Sequence, residues 1–484
     1  MAGGRRPHGG EDHISGLPDD LLHVILARLG SARAAARTGV LSRRWRQVWT
    51  QHPKLVLHNE DELPPALFLD SVDAALAAHS APTVEFLSIF LPIDAPRVSA
   101  CRVAPWLLFA SQRVMGKLHV FVPPDPQMSS SPTPEAEEEE EKELDIPACA
   151  GATRIELYLD ETWRLRILQT AGLFAALTHL TISAARVEGS ELSALVTGRC
   201  PRLKELYLNS TIDISIRTDS LESLCWRVSN TKRLEVIGPR MERLTVCNIE
   251  SFMISAPKLA ELDWDSQVVV YDPRRHVFAD VGLDRRLRLL KINSESIVAS
   301  LLQRFDSVDE LKLDICIPQE IFGYQSFLNE TNKLPICDTL SVSIHVNYHR
   351  LVPVMRHLLR SCSTTRKLSV AICNSHGYDL MYPCPSSCPC RLAENCRLDD
   401  ITLGSLEEVE ISYFTTSEEE LEFVEQLSRC NAAVLKKIVI YYTWRPNHTP
   451  LTKESCDKVR SKCSSNLKVE FYVISNMTRW VRFD

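Results

Sequence analysis

The sequence predicts an α/β protein in which a small three-helix module precedes an irregular solenoid of short parallel strands with helices and loops. Three observations support this fold class. Residues 12–57 hold a compact helical pattern, alternation of apolar and polar residues at strand length begins near residue 55, and a short apolar unit then recurs along the chain. The 484 residues correspond to about three domains of roughly 150 residues or to one elongated repeat array.

Composition and charge exclude several classes of protein. Apolar residues make up 45% of the chain and charged residues 24%, which is typical of a globular protein and not of a disordered chain, a collagen or a coiled-coil rod. The formal charge of −7 equals the local charge of residues 123–143, where seven Glu and Asp125 stand against one Lys. The rest of the chain is balanced, so charge favours neither a nucleic acid nor an anionic membrane as a partner.

The sequence has no signal for a membrane or for secretion. Its longest apolar runs, such as residues 86–91, have only the length of a strand, which predicts no membrane span. The first residues lack the apolar core of a secretory signal. We therefore expect a protein of the cytoplasm or the nucleus, in which the 16 cysteines are reduced.

The helical module begins after a Gly- and Arg-rich segment, residues 1–11, that is predicted to be a disordered tail. Pro18 can start the first helix, with Asp19 and Asp20 near the positive end of its dipole. A broad apolar stripe follows, formed by Leu21, Leu22, Ile25, Leu26 and Leu29. An Ala-rich short helix covers residues 32–38. The third helix places Leu41, Trp45, Val48 and Trp49 opposite Arg43, Arg44, Arg46 and Gln47. So small a unit buries too little surface to be stable alone, so we expect it to need a partner.

The recurring unit in the remainder consists of two apolar positions three apart, a polar residue and another apolar one. Examples are L-K-E-L-Y-L at 203–208, M-E-R-L-T-V at 241–246 and V-D-E-L-K-L at 308–313. The second apolar position falls at residues 180, 206, 224, 244, 262, 290 and 311. These steps match a leucine-rich repeat with irregular members, in which one strand per repeat stacks in parallel on the next. We assign residues 58–370 to these repeats. Within them, residues 123–143 are predicted to form a disordered acidic and Pro-rich loop. An ordinary α/β domain with short strands is the alternative to the repeat fold.

Residues 12–57 resemble an F-box. The resemblance rests on D-H-I-S-G-L-P-D-D-L-L-H-V-I-L-A-R-L and on V-L-S-R-R-W-R-Q-V-W, which ends at Trp49. It implies docking to a Skp-family adaptor and, through the adaptor, to the cullin scaffold of a ubiquitin ligase. The adaptor-binding residues that it implies are Leu17, Pro18, Leu21, Leu22, Ile25, Leu26, Val40, Leu41, Ser42, Arg44, Trp45 and Trp49. Some of them must hold the helices together, and the sequence does not separate the two roles.

A DNA-binding domain is a rival interpretation of the same residues. A three-helix domain whose last helix is rich in Arg can enter a major groove. The Leu-Pro start and the two tryptophans fit the F-box better, so we expect no nucleic-acid partner and take the arginines as a solvated face.

The C-terminal part resembles the FBD region of plant F-box and leucine-rich-repeat proteins. The resemblance covers residues 376–445, within a region 371–484 that continues the repeats, and rests on C-P-S-S-C-P-C at 384–390, S-L-E-E-V-E-I at 405–411 and V-L-K-K-I-V-I at 434–440. Between the last two lies a predicted amphipathic helix over Glu418–Arg429, with Leu421, Phe423, Val424 and Leu427 facing inward. The pattern is strand, helix, strand.

The cysteines of this region suggest a metal site. Cys384, Cys388, Cys390 and Cys396, with His376 nearby, offer soft ligands. Their spacing is not the paired C-x2-C of zinc ribbons, so the sequence favours a stiff capping loop and no metal ion.

Motifs for catalysis are absent from the sequence. No phosphate-binding loop, H-E-x-x-H or G-x-S-x-G occurs, so no catalytic residue and no cofactor is predicted. The F-box resemblance implies a substrate-recognition subunit of an SCF-type ligase, and we expect the repeats to bind its unknown target protein. A binding scaffold whose F-box recruits no ligase is the alternative, and a small-molecule sensor is a weaker one.

Overall fold

The computed structural model describes residues 16–59, 63–93, 98–124, 143–160, 162–167, 172–209, 214–227, 231–266, 269–280, 286–293, 299–345, 348–373, 384–392, 397–398, 400–442, 451–464, 466–475 and 479–483. The predicted tail and most of the predicted acidic loop lie outside these residues. The chain divides into two compact units, residues 1–221 and 222–484. They are called the N-terminal and C-terminal units below.

The N-terminal unit begins with the predicted three helices. Its helices are α1 (Asp19–Ala27), α2 (Ala32–Arg37), α3 (Arg43–Thr50), α4 (Pro65–Ala78), α5 (Ala100–Arg113) and α6 (Gly189–Ala194). A 3-10 turn, Thr38–Val40, connects α2 to α3, and a π-helical turn, Leu195–Arg199, follows α6. Its strands are β1 (Lys54–His58), β2 (Val84–Phe90), β3 (Val114–Phe121), β4 (Glu143–Asp145), β5 (Arg154–Tyr158), β6 (Arg164–Arg166), β7 (His179–Ser183), β8 (Arg186–Val187), β9 (Glu205–Asn209) and β10 (Ile214–Arg217).

Two parallel stacks of strands make up the repeats of this unit. The first contains β1, β2, β3, β5, β7 and β9, each parallel to the next. The second contains the short strands β4, β6 and β8. Because all the pairings are parallel, every strand must be followed by a connection that returns to the same edge. The sequence did not reveal the second stack, whose strands have at most three residues.

The C-terminal unit extends the same plan. Its helices are α7 (Ala299–Leu302), α8 (Ile321–Glu330), α9 (Leu351–Leu359), α10 (Glu418–Arg429) and α11 (Lys453–Lys462), with a 3-10 turn at Pro389–Arg391. Its strands are β11 (Ser223–Trp226), β12 (Leu234–Ile237), β13 (Arg243–Val246), β14 (Phe252–Ser255), β15 (Glu261–Asp265), β16 (His276–Phe278), β17 (Arg286–Asn293), β18 (Ser307–Cys316), β19 (Ile336–His345), β20 (Lys367–Cys373), β21 (Glu408–Phe414), β22 (Lys437–Tyr442), β23 (Lys468–Ser475) and β24 (Arg479–Phe483).

The predicted apolar unit sets the register of the main stack in this unit. Strands β11, β13, β15 and β17 to β23 are parallel neighbours in that order, and β24 closes the stack antiparallel to β23. One buried position per strand forms a continuous row, namely Leu224, Leu244, Leu262, Leu290, Leu311, Leu340, Leu368, Val409 and Ile438. Each of these side chains is at most 1% exposed, so the repeats share one core. The predicted α/β fold class is confirmed.

The helix predicted in the C-terminal region is α10, with the predicted bounds. Its inward residues Leu421, Phe423, Val424 and Leu427 are all buried. Ser417 accepts a hydrogen bond from the Glu420 amide, and the Glu420 carboxylate accepts one from the Ser417 amide, which forms a capping box. This reciprocal bonding explains why the helix begins at Glu418.

No helix among these described ranges has both the length and the apolar character needed to cross a bilayer.

Candidate docking site in the helical module

The helical module has a small core of its own. Leu22 and Leu26 of α1, Ala35 of α2, and Trp45 and Val48 of α3 pack together in it. Leu17 and Trp49 lie partly buried against this cluster. Five residues that the sequence assigned to adaptor binding, namely Leu17, Leu22, Leu26, Trp45 and Trp49, therefore hold the helices together in this structure.

A second set of the predicted residues faces outward. Leu21 and Ile25 are exposed on α1, and Val40 and Leu41 are 83% and 66% exposed just before α3. Val24, which the sequence analysis missed, is also exposed. Positions 21, 24 and 25 share a helix face. The module thus presents apolar side chains that its own core does not use.

The other predicted adaptor-binding residues, Pro18, Ser42 and Arg44, lie at or contact the starts of α1 and α3. Ser42 caps α3, because its hydroxyl accepts a hydrogen bond from the Trp45 amide at 3.3 Å. Arg44 donates to the Leu17 carbonyl and, through Nε, to Asp19 Oδ1 at 3.0 Å. Pro18 lies at the N-cap of α1, where it is exposed. These contacts determine where α1 and α3 begin. They therefore also position the exposed apolar residues on α1 and just before α3.

Two arginines of α3 are engaged inside the module. Arg44 holds the start of α1, and Arg46 Nε donates to the Gly39 carbonyl at 2.9 Å. A Cβ at Gly39 would stand 2.9 Å from Arg46 Cγ, so the glycine lets the arginine approach. A groove-reading helix needs its basic side chains free for DNA, and these two guanidinium groups already bind protein oxygen atoms.

Two histidines join the module to the first repeat, and the sequence analysis missed both. His52 Nε2 lies 3.0 Å from the His23 carbonyl of α1, and His79 Nε2 lies 3.0 Å from the His52 carbonyl. Both side chains are buried, and burial lowers the pKa of His79. Because each His nitrogen reaches a main-chain oxygen across 27 or 29 residues, the module is fixed to the repeat that follows it.

The strand faces opposite the core carry a row of aromatic residues in the N-terminal unit. His58, Phe90, Phe121 and Tyr158 are neighbours in register on β1, β2, β3 and β5. The Phe90 and Phe121 rings stack, with centroids 4.4 Å apart and an interplanar angle of 9°. All four side chains are half-buried. Because aromatic residues are enriched at protein–protein interfaces, this row is a candidate binding surface.

The corresponding face of the C-terminal unit is polar. An open groove of about 610 Å³ crosses β17 to β21. Charged side chains of the groove are paired with each other, for example Lys312 with Glu310 at 3.1 Å and Lys367 with Glu410 at 2.8 Å. Since these charges are already compensated, the groove has no strong preference for a partner of one sign.

The cysteine-rich loop adopts an arrangement that the sequence did not predict. Cys384, Cys388 and Cys390 cluster with His349, and all four side chains are buried. Burial raises the pKa of the Cys388 and Cys390 thiols. Cys396 and His376, the other ligands considered, fall outside the described residues. His349 was missed because it lies 35 residues before Cys384 in the chain.

Comparisons with known proteins identify the helical module and the relatives of the chain. Residues 14–57 match the F-box domain. An F-box/FBD/LRR-repeat protein of Arabidopsis thaliana is 38% identical over 115 residues, which are 22% of this chain and 25% of that protein. An F-box protein of the same plant is 33% identical over 236 residues, or 49% of this chain and 66% of that protein.

A third Arabidopsis relative is aligned over most of both chains. This putative FBD-associated F-box protein is 24% identical over 437 residues, or 89% of this chain and 96% of that protein. With the first two relatives, by contrast, the chain spans only about a quarter and 66% of their lengths. The resemblances to F-box, FBD and leucine-rich-repeat proteins that were drawn from the sequence are confirmed.

Proposed function

Because the chain is an F-box protein, we propose that it is the substrate-recognition subunit of an SCF-type cullin-RING ubiquitin ligase. In this role the F-box binds a Skp-family adaptor, which links it to the cullin, and the repeats bind the target protein. The chain itself is non-catalytic and acts in the cytoplasm or the nucleus. It raises the effective concentration of the target beside the conjugating enzyme.

The proposal rests on the exposed apolar residues of the F-box. Leu21, Val24, Ile25, Val40 and Leu41 are exposed although the core of the same module is complete. Burying one such side chain at an interface stabilises a complex by roughly 1.5–3 kcal/mol. Several of them together supply the energy of a specific docking surface, and the adaptor is the partner that F-box domains generally bind.

The test is a pull-down of the full-length chain with purified Skp-family adaptor, followed by titration calorimetry. The docking variant changes Leu21, Ile25 and Leu41 to Ala. The matched control changes three other exposed apolar residues outside the F-box, Leu67, Leu108 and Met115, to Ala. We expect the docking variant to lose roughly 100-fold or more in affinity and the control to bind like wild type. Equal binding by both variants would mean that the docking surface lies elsewhere.

For the target protein, we propose the row of His58, Phe90, Phe121 and Tyr158 as the anchor. Aromatic side chains are enriched at protein–protein interfaces, and all four side chains of this row are only half-buried. A Phe90→Ser/Phe121→Ser variant should bind adaptor normally and transfer ubiquitin to fewer proteins of a cell extract in a reconstituted ligase. A Leu67→Ser/Leu108→Ser variant is the control, because both leucines are exposed on helices α4 and α5.

The alternative is a scaffold that holds a partner without recruiting a ligase. The two functions differ in whether cullin and ubiquitin transfer follow adaptor binding. Reconstitution with adaptor, cullin, RING subunit, ubiquitin-activating enzyme and conjugating enzyme separates them. Ubiquitin on the chain itself, dependent on the F-box surface, supports the ligase. Adaptor binding without cullin recruitment supports the scaffold.

A further inference from the structure

The cluster of three cysteines and one histidine lies at one edge of the C-terminal stack. Strands β18, β19 and β20 are parallel, so their carboxyl ends meet at the same edge. His349 follows the end of β19 by four residues, and Cys384 follows the end of β20 by eleven. Pro318 lies two residues beyond the end of β18. Three successive connections between repeats therefore converge at this point.

The four potential ligand atoms are close enough to share one ion. They all lie within 4.8 Å of one another. His349 Nδ1 is 3.6 Å from Cys388 Sγ and 3.5 Å from Cys390 Sγ, and the sulfur atoms of Cys384 and Cys390 are 3.3 Å apart. A tetrahedral zinc ion with its usual bond lengths places sulfur and nitrogen ligands about 3.5 Å apart and two sulfur ligands about 3.8 Å apart. The two histidine–sulfur distances fit this geometry closely, and the Cys384–Cys390 sulfur pair is about half an ångström shorter than in such a complex.

The contacts around the ligands favour the same interpretation. His349 Nε2 lies 2.7 Å from the Pro318 carbonyl, so Nε2 carries the proton and Nδ1 is free to bind a metal ion. Metal-binding histidines usually donate their second nitrogen in this way. The ring also stacks on buried Tyr324, with centroids 5.0 Å apart. The imidazole is therefore fixed in the orientation that a ligand needs.

The cysteine loop is folded tightly around the same point. The Cys388 amide donates to the Pro385 carbonyl at 2.9 Å, and the Arg391 amide donates to the Cys388 carbonyl at 3.0 Å. Arg391 Nε is 3.4 Å from Cys384 Sγ. A guanidinium beside a sulfur atom stabilises a thiolate. The spacing of Cys384 and Cys388 also falls within the C-x2-4-C range of structural zinc sites.

We propose that His349, Cys384, Cys388 and Cys390 bind one zinc ion as a closed structural site. Three sulfur ligands and one imidazole are a typical zinc set, and all four ligands come from the protein, which leaves no open position for catalysis. As the ion binds, each of the three thiols gives its proton to solvent. The resulting complex has one net negative charge, which Arg391 offsets. Fe–S clusters hold several iron atoms, and ligands this close together fit a single ion.

The ion would fasten the cysteine loop onto the repeats. Cys384 donates through its amide to the Tyr348 carbonyl at 3.0 Å, and the ion would add a further link through the sulfur atoms. The site differs from the adaptor-docking function, because it lies in the C-terminal unit and the F-box lies in the N-terminal unit.

The first test measures zinc in the full-length chain, purified without chelator and with any metal-binding tag removed. We expect about one zinc ion per chain by mass spectrometry of the elements. Titration of the thiols with an organomercurial should release that ion, and X-ray absorption should give three sulfur ligands and one nitrogen ligand near the usual zinc distances. Folded chain with less than about 0.2 zinc per chain, even after zinc has been supplied, would overturn the proposal. A Cys384–Cys390 disulfide or bound Cu(I) would overturn it too.

The second test uses variants with matched controls. Cys388→Ser, Cys390→Ser and His349→Gln should each lower the zinc content at least fivefold. Cys430→Ser and Cys456→Ser replace buried cysteines outside the cluster, and His276→Gln replaces a buried histidine; all three should retain full zinc. Zinc that remains in the cluster variants would place the ion elsewhere and exclude the proposed ligands. The measurements on the wild-type chain stand even where a variant fails to fold.

Discussion

The guanidinium of Arg44 donates a hydrogen bond to the main-chain carbonyl of Leu17 across the F-box. The same group pairs with Asp19 in the first turn of α1. Arg44 was expected from the sequence to face the adaptor, and in the structure it also fixes the start of the helix that carries Leu21 and Ile25. Its effect on docking can therefore be indirect, and the two roles are separable by experiment.

Replacing Arg44 by Ala should weaken adaptor binding roughly 3- to 10-fold, because the entry to α1 loses a charge-assisted hydrogen bond worth about 1 kcal/mol at a partly exposed site. Calorimetric titration of the full-length chain with the adaptor measures this change. Arg43→Ala, on the exposed side of α3, is the matched control and should bind as wild type does.

A double-mutant cycle with Asp19→Asn decides how Arg44 acts. If Arg44 works through the start of α1, the double variant should be little weaker than Arg44→Ala alone. Fully additive losses would instead indicate that Arg44 contacts the adaptor directly, as the resemblance to the F-box family implies.

Trp45 should behave differently from the exposed apolar residues of the same module. It is 3% exposed in the small core, and truncating such an aromatic side chain to Ala costs roughly 3–5 kcal/mol. Trp45→Ala should therefore unfold the F-box and raise amide hydrogen exchange throughout α1 to α3. The Leu21/Ile25/Leu41 variant should lose adaptor binding while its exchange protection stays unchanged. Normal protection in Trp45→Ala would show that the core does not depend on this ring.

The buried carboxylate of Glu420 should contribute more to the free energy of unfolding than an ordinary helix cap does. It is 2% exposed and accepts hydrogen bonds from the Thr415 and Ser417 amides at 2.8 and 3.0 Å. Glu420→Ala leaves both donors unsatisfied, so we expect a loss of roughly 2–4 kcal/mol in the free energy of unfolding of the C-terminal unit. Urea denaturation measures it, with Glu418→Ala on the exposed surface as the control. A loss below about 0.5 kcal/mol would contradict this account.

The repeats were predictable because their signal is local and repeated. The apolar position at Leu262 or Leu311 stands in the same place of each unit, and parallel stacking then places one such residue beside the next. The same holds for α10, where Ser417 and Glu420 mark the start and the apolar spacing marks the inward face. In both cases a few neighbouring residues determine the outcome.

The features that could not be predicted from the sequence depend on contacts between residues far apart in the chain. The stripe on α1 is so wide that periodicity alone cannot distinguish Leu22, which is in the core, from Leu21, which is exposed. That division is decided by where α2 and α3 pack. The pairing of His349 with Cys390 likewise needs two connections at the same edge of the stack, and no spacing in the chain encodes it. Strands of two or three residues, such as β8, have too few positions to show alternation.

The last prediction concerns pH and His276, whose ring is wholly buried in the C-terminal unit. Its Nε2 lies 3.0 Å from the Ile249 carbonyl, and its Nδ1 accepts a hydrogen bond from the Asp272 amide at 2.8 Å. Both nitrogens are thus satisfied by the neutral ring, and a proton on Nδ1 would face an N–H donor. Burial is the main cause that lowers the pKa of His276 from its ordinary 6.5.

The unfolded chain therefore binds a proton at this histidine more readily than the folded chain. Above pH 6.5 the neutral ring of His276 contributes its full stabilisation to the folded chain. This contribution is lost as the pH falls from there towards the lowered pKa of the folded state, by at most about 1.4 kcal/mol per pH unit. Denaturation at pH 5.5 to 8 should show His276→Gln with a shallower decline below about pH 6.5 than wild type, because Gln keeps a donor and an acceptor but takes up no proton. The remaining decline in the variant comes from other histidines, such as the half-buried His119 and His357, whose pKa values are also lowered by burial. Parallel pH curves for the two proteins would mean that the folded chain accommodates the protonated ring and that the Asp272 contact does not select its neutral form.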